Sequence, residues 1–362
     1  LPEPMAPGAL MARDNEHPMN LRGLAILILL FTPWSAQAAP RFNTERVDGR
    51  NYVTLRDFIN FYGFGRKWTR NQQTIILKKK YLTLRLKIDG QEAVITREKQ
   101  DVRLFLSFAP IEEGDGIMIS ELDVIKTFDP VLRPWAVPEF KVRTIMIDAG
   151  HGGFDKGTLG VSRGVMEKTY ALDTAVRLER FLKLAGYRTL MTRREDEYVS
   201  LEDRAEQAHV SSADLFVSVH YNSASPDREP GGIETYCLTP AGAPSTGNSE
   251  ARMADYQLNP GNKKDVHNML LAYCVHHSLL KKLDTADRGV RRARFVVIKE
   301  TNKTAILIEC GFLSNPSEQS RIRTPAHREK LAQSICQGIL KFIGYVNPKK
   351  SAAIPPKLRD VS

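Results

Sequence analysis

Apolar and polar positions follow three successive rhythms along the chain. Near the start, Met19-Asn20-Leu21-Arg22 precedes an unbroken apolar run, Leu24 to Phe31, and then the small-residue pattern Ala36-Gln37-Ala38. A charged start, a short apolar middle and a small-x-small end predict a secretory signal peptide over 19–38, with 1–18 an upstream extension. From 41 to 134 the period is two. Tyr81, Thr83, Arg85 and Lys87 alternate with Leu82, Leu84, Leu86 and Ile88, the pattern of a half-buried strand. Further short runs at Thr74 to Leu77, Ala93 to Ile95, Val102 to Phe108 and Ile117 to Ile119, with helices near Leu55 to Tyr62 and Glu121 to Phe128, predict a small β-rich α+β module. Pro130, Pro134 and Pro138 then mark a linker over 135–141.

Beyond the linker, strands alternate with helices. Thr144 to Ile147, Arg188 to Thr192, Leu215 to Val219, Ile233 to Leu238, Phe295 to Lys299 and Ala305 to Ile308 read as strands. Glu167 to Ala185 reads as an amphipathic helix stopped by Gly186. Ser200-Leu201-Glu202-Asp203 starts another through about Ser211, and Thr324-Pro325 opens a closing helix stopped at Gly344. The expected fold class is α/β: a mixed, mostly parallel sheet flanked by helices over 142–345. A basic, disordered tail is expected over 346–362.

Composition narrows the partners without choosing one. The 362 residues carry 52 Lys and Arg against 42 Asp and Glu, a net charge of +10. Removing 1–38 would take away two basic and three acidic residues and leave +11. Such a surface favours anionic partners, whether nucleic acid, membrane or cell-wall polymer. No run reaches the roughly 18 apolar residues of a spanning helix, so no integral membrane segment is expected after signal cleavage. Cys237, Cys274, Cys310 and Cys336 have no C-x-x-C spacing, and in a domain this large they are expected to be mostly free, buried thiols.

Three ionisable residues stand just beyond apolar strand runs: His151 after Ile145 to Gly150, His220 after Leu215 to Val219, and Glu309 after Ala305 to Ile308. In open α/β sheets the carboxyl ends of strands gather ligands, so these residues have a common edge on which to meet. Glu167 opens a helix, where a carboxylate is favoured. Two histidines and a carboxylate from separate elements suit a catalytic zinc ion (Zn2+), and Glu309 would be the spare carboxylate that moves a proton. Singly, each has a structural reading as a satisfied strand-end histidine or a helix cap. His276-His277 is expected half on the surface, and His327 solvent-facing.

The blocks Ile147-Asp148-Ala149-Gly150-His151-Gly152-Gly153-Phe154-Asp155-Lys156-Gly157, Glu167-Lys168, Thr192-Arg193 with Asp196, Ser200-Leu201 and Arg204, Ser218-Val219-His220-Tyr221-Asn222, Gly232-Ile233-Glu234-Thr235-Tyr236, and Glu309-Cys310-Gly311-Phe312-Leu313-Ser314-Asn315-Pro316 resemble the zinc-dependent N-acetylmuramoyl-L-alanine amidases of bacterial cell walls. The resemblance covers about 142–345. It implies hydrolysis of the amide between the lactyl group of N-acetylmuramic acid and L-alanine in peptidoglycan. His151, Glu167 and His220 match the zinc ligands and Glu309 the catalytic glutamate; Asn222 and Arg204 are expected at the substrate. His209 and Thr304 depart from the family pattern outside the metal shell. An exported enzyme of periplasm or cell wall is implied, with an activator protein as a further partner. The polar stretch 239–262 reads as a regulatory lid or an inert loop. More weakly, Tyr52 to Phe58 with Gly63-Phe64 resembles the stalk module named for the N-terminal region of copper amine oxidases, a wall-binding or spacer element.

Three rivals predict different features. A catalytically dead wall-binding protein would have lost a ligand or Glu309, and none is lost. A nucleic-acid binder would show a basic helix or aromatic-basic platform and no leader, so no nucleic acid partner is expected. A zinc carboxypeptidase would share the metal shell and differ in the amide cut.

Overall fold

The computed structural model describes residues 40–65, 69–114, 116–248 and 250–348. The expected leader at 19–38, the extension before it and residues 349–362 of the expected tail lie outside the described residues. The strands are Glu45–Val47 (β1), Arg50–Thr54 (β2), Thr69–Asn71 (β3), Thr74–Lys79 (β4), Leu82–Lys87 (β5), Glu92–Arg97 (β6), Gln100–Phe105 (β7), Ile111–Glu113 (β8), Gly116–Ser120 (β9), Thr144–Ala149 (β10), Arg188–Met191 (β11), Leu215–Asn222 (β12), Ile233–Leu238 (β13), Asp287–Ala293 (β14) and Thr304–Phe312 (β15).

One long sheet runs β11-β10-β12-β15-β13-β14-β7-β6-β5-β4-β3, and a small one runs β1-β2-β9-β8. Within 142–345 all pairings are parallel except β13 with β15, so the expected mixed, mostly parallel sheet is present. The alternation read over 81–88 becomes β5, with Leu82, Leu84 and Leu86 buried. At the junction β7 lies parallel to β14, Val290 opposite Leu104, and the Arg103 backbone N–H donates to Asp287 at 2.7 Å.

Alternate side chains of the central strands feed two helical layers. Ile145, Ile147, Val217, Val219, Ile306 and Ile308 pack towards the helices Glu167–Leu184, Asp265–Lys282 and Pro325–Val346. Met146, Phe216, Ala305 and Leu307 pack on the opposite face with Ala208, Val297 and Ile298. Caps fix the helix starts as the sequence implied: the Ser200 and Thr324 hydroxyls accept from the Asp203 and His327 N–H groups.

Several elements differ from expectation. Phe295 to Lys299 is not a strand; Val296–Lys299 is a helical turn whose Val297 and Ile298 enter the core. A short apolar run gives the same periodicity in either state, and burial decided here. Pro130 does not open a free connection, since Asp129–Leu132 is a helical turn packed on Asp265–Lys282. Gly344 does not stop the closing helix, which runs to Val346. His276 and His277 are both buried, 0% and 1% exposed, within a helix covered around most of its circumference. His327 is half-buried rather than solvent-facing. The four cysteines are buried and free. No described helix is long and apolar enough to cross a membrane.

Candidate metal centre and active site

The carboxyl edge of the central strands gathers the expected residues. Parallel β10 and β12 end side by side, placing His151, two residues past Ala149, beside His220 on β12, with ring centroids 5.0 Å apart. Gly150 has no side chain because a Cβ there would run into the His220 ring. His151 sits at φ +59°, a conformation that a non-glycine residue adopts at a cost and that commonly marks a functional site.

Glu167, at the first position of its helix, points into the same space. Its Oε2 lies 3.0 Å from His151 Nε2 and its Oε1 2.8 Å from His220 Nδ1. Backbone N–H groups of Thr158 and Tyr221 donate to the same carboxylate at 2.9 and 3.0 Å, which fixes its plane. Burial alone would raise the Glu167 pKa, but the two imidazoles outweigh it and hold the group well below the usual carboxylate range. His151 moves upward: burial opposes this, and Glu167 and Asp155 override it. One nitrogen from each histidine and one Glu167 oxygen lie within 4.8 Å of one another, a group able to hold a metal ion.

Glu309 stands across from His220 in the β12–β15 register and across from Glu234 in the β13–β15 register. The residue is partly exposed, yet its Oε2 is sealed from solvent and has no hydrogen-bond partner. Desolvation first, then the negative charges of Glu167 and Glu234, push its pKa well above the ordinary value. Burial and like charge therefore both favour the protonated form of this carboxyl over its ordinary balance.

The sequence left four supporting residues unassigned. Asp155 Oδ2 lies 2.8 Å from His151 Nδ1 and sets that ring's tautomer, with Nε2 left facing Glu167. Asp148, fully buried in β10, accepts from Thr192 Oγ1, Ser218 Oγ and Arg204 Nη1. Glu234 on β13 accepts from Asn222 Nδ2, the Tyr236 hydroxyl, Arg288 Nε and Arg291 Nη1. Lys168 bonds the Gly153 carbonyl and Asp196. A charged residue inside an otherwise apolar strand run was the available signal for Asp148 and Glu234.

Of the two expected substrate contacts, Asn222 lies at the cleft beside His220, held by Glu234. Arg204 is placed differently. It is 2% exposed, and its guanidinium donates to Asp148, to Ala149 O, to His151 O and to Val199 O. Those bonds hold the strained His151 backbone.

Fold and cluster together define an α/β protein with a candidate metal centre, flanked by an unpaired glutamate, at the carboxyl edge of its sheet. The model of the family Amidase_3, described as N-acetylmuramoyl-L-alanine amidase, matches residues 145–341. The chain is 35% identical over 199 residues to the N-acetylmuramoyl-L-alanine amidase LytC of Bacillus subtilis, covering 55% of this chain and 35% of LytC. It is 28% identical over 265 residues to AmiA of Escherichia coli, covering 66% of this chain and 89% of AmiA. A solved N-acetylmuramoyl-L-alanine amidase from Clostridium difficile 630 shares 33% identity at a TM-score of 0.47, over 56% of this chain and 98% of that one. The chain thus spans about a third of LytC and most of AmiA. It belongs to the Amidase_3 family of N-acetylmuramoyl-L-alanine amidases.

Proposed function

We propose that the chain is an exported, zinc-dependent hydrolase that cuts the amide between the N-acetylmuramic acid lactyl group and the L-alanine of peptidoglycan stem peptides. Family membership supplies the bond, and the donor set of His151, Glu167 and His220 suits Zn2+. Zinc bound there supplies a positive charge that polarises the amide carbonyl and acidifies water. The observation that carries the reading is Glu309, which stands across from His220 on the next strand with its Oε2 buried and unpartnered.

The protein's own groups then divide the work. Glu309 takes a proton from the attacking water and hands it to the leaving nitrogen, a shuttle for which a raised pKa is an advantage. Asp155 and the two backbone N–H groups on Glu167 keep the donors aimed. Arg204 acts as a positioning residue for His151, and Asn222, oriented by Glu234, is the polar group available to the substrate. A periplasmic or wall location, an activator protein, wall binding by 41–134 and regulation by 239–262 belong to the same proposal. The wall-binding part has a direct test in retention of residues 39–134 on purified sacculi.

The chemistry is tested by mass spectrometry of material released from purified peptidoglycan by residues 39–362 with zinc, beside Glu309→Ala. Free stem peptides beginning with L-alanine, reduced about 1,000-fold in the variant, are expected. Cleavage inside the peptide would assign a different bond to the same centre.

A further inference from the structure

Beside the donor cluster stand two aromatic rings that the hydrolytic chemistry does not use. Phe154 is 77% exposed and Tyr198 47% exposed, and their rings stack with centroids 4.1 Å apart and planes 28° from parallel. Phe154 lies three residues beyond His151 and directly before Asp155, whose carboxylate holds His151 Nδ1. The pair is therefore on the rim of the candidate active site.

Both rings are mounted rigidly. The Gly153 N–H donates to Asp196 Oδ1 at 2.9 Å, and Lys168 Nζ reaches both the Gly153 carbonyl, at 2.7 Å, and Asp196 Oδ2, at 2.6 Å. Arg193 ties the same two loops by donating to Gly150 O and Glu195 O. A Cβ on Gly153 would stand 2.8 Å from the Tyr198 nitrogen, so the loops are in direct contact. Lys168 follows Glu167 in the chain, and the clamp thus fixes the rings relative to a metal-donor residue.

Ordering two loops to hold aromatic surface in water forgoes the gain of burying it, and so calls for a ligand that covers it. The rings are flanked in the chain by Asp155, Lys156, Asp196 and Glu197, and the carboxylates of Asp155 and Asp196 are 41% and 59% exposed. A flat apolar face bordered by hydrogen-bond acceptors matches a pyranose, which has one C–H face and a girdle of O–H and N–H donors.

We propose that Phe154 and Tyr198 form a carbohydrate subsite on which an N-acetylated pyranose ring of the glycan strand stacks while the stem-peptide amide lies at Glu309. This rests on the amidase reading and adds to it a determinant for the glycan.

The test measures sugar binding apart from turnover. The Glu309→Gln chain, residues 39–362 with zinc, is titrated with peptide-free tetra-N-acetylchitotetraose by calorimetry, alone and with Phe154→Ala or Phe154→Trp added. Binding weakened about tenfold by Phe154→Ala and retained by Phe154→Trp is expected. In the catalytically competent chain, Phe154→Ala is expected to raise KM on glycan strands that carry stem peptides about tenfold and leave kcat intact. No oligosaccharide binding by Glu309→Gln, or equal binding and equal KM with and without Phe154→Ala, overturns the subsite. Failure of the unsubstituted chain to release stem peptides would instead overturn the amidase reading, because the titration needs no turnover.

Discussion

Two glutamates, Glu234 and Glu309, face one another across β13 and β15, and their surroundings could hardly differ more. On the β13–β14 side, Glu234 is met by Arg288, Arg291 and the Tyr236 hydroxyl, and from the end of β12 by Asn222. Burial pushes its pKa up, but those donors pull it below the ordinary value. On the β12–β15 side, Glu309 has no arginine or lysine bonded to it among the described residues and one oxygen without a partner, and burial with the charges of Glu167 and Glu234 raises its pKa. Identical side chains at one register position thus become a structural anion and, in the proposed mechanism, a proton carrier. The neighbours, not the residue type, assign the roles.

The comparison breaks most readily at Glu234. Glu234→Gln is expected to cost about 3 kcal/mol of stability, since it removes the negative charge that two arginines pair with and puts an NH2 donor in place of one of the two accepting oxygens. Glu309→Gln, with nothing to orphan, is expected to keep the unfolding midpoint within about 0.5 kcal/mol while abolishing turnover. Urea unfolding of both variants decides this; equal losses would mean that the difference in neighbours is immaterial.

His277 sharpens the point with a buried base. It is 1% exposed, its Nε2 has no partner, and burial followed by the Lys341 charge lowers its pKa from 6.5 to about 4. Glu98 and the Arg97 backbone favour the charged form, and Lys281 opposes it. Because the folded value lies below the unfolded one, the stabilising effect is complete above pH 6.5. It is lost as pH falls towards 4, by about 3 kcal/mol. Midpoints measured across pH 4 to 7 are expected to show this slope, and His277→Gln to flatten it. An unchanged slope in that variant would assign the acid sensitivity elsewhere.

The smallest expected effect is at Asp155, whose carboxylate holds His151 Nδ1 through Oδ2 and accepts from the Gly157 N–H through Oδ1. Asp155→Asn is expected to weaken zinc binding by 10- to 100-fold, read by competition with a chromogenic chelator. Unchanged affinity would mean that the His151 tautomer is held by its backbone alone.

The donor cluster was legible in the sequence because each member stands at a strand end or a helix start, where topology forces convergence. His151, Glu167, His220 and Glu309 needed no tertiary detail beyond one sheet edge. Arg204 was misread because a motif arginine near a site looks the same whether it grips a ligand or a carbonyl. Only its contacts with Ala149 O and His151 O distinguish the two. β14 was missed altogether: Asp287 to Ala293 contains three arginines, whose outward positions serve Glu234 and whose inward one, Arg292, is bonded to backbone and Thr127. The Asp265–Lys282 helix is buried around most of its circumference, so it shows no polar stripe from which a period could be read.

The meeting of β7 and β14 bears on how the chain reaches this structure. Leu104 and Val290 are joined by a backbone bridge across almost two hundred residues. A contact so distant in sequence is entropically expensive to close early, and it forms late in folding, after the segments on either side have collapsed. Until then β14 is a raw sheet edge, open to pairing with another copy. In the folded chain the N-terminal strands cover the edge that β14 would otherwise present to solvent.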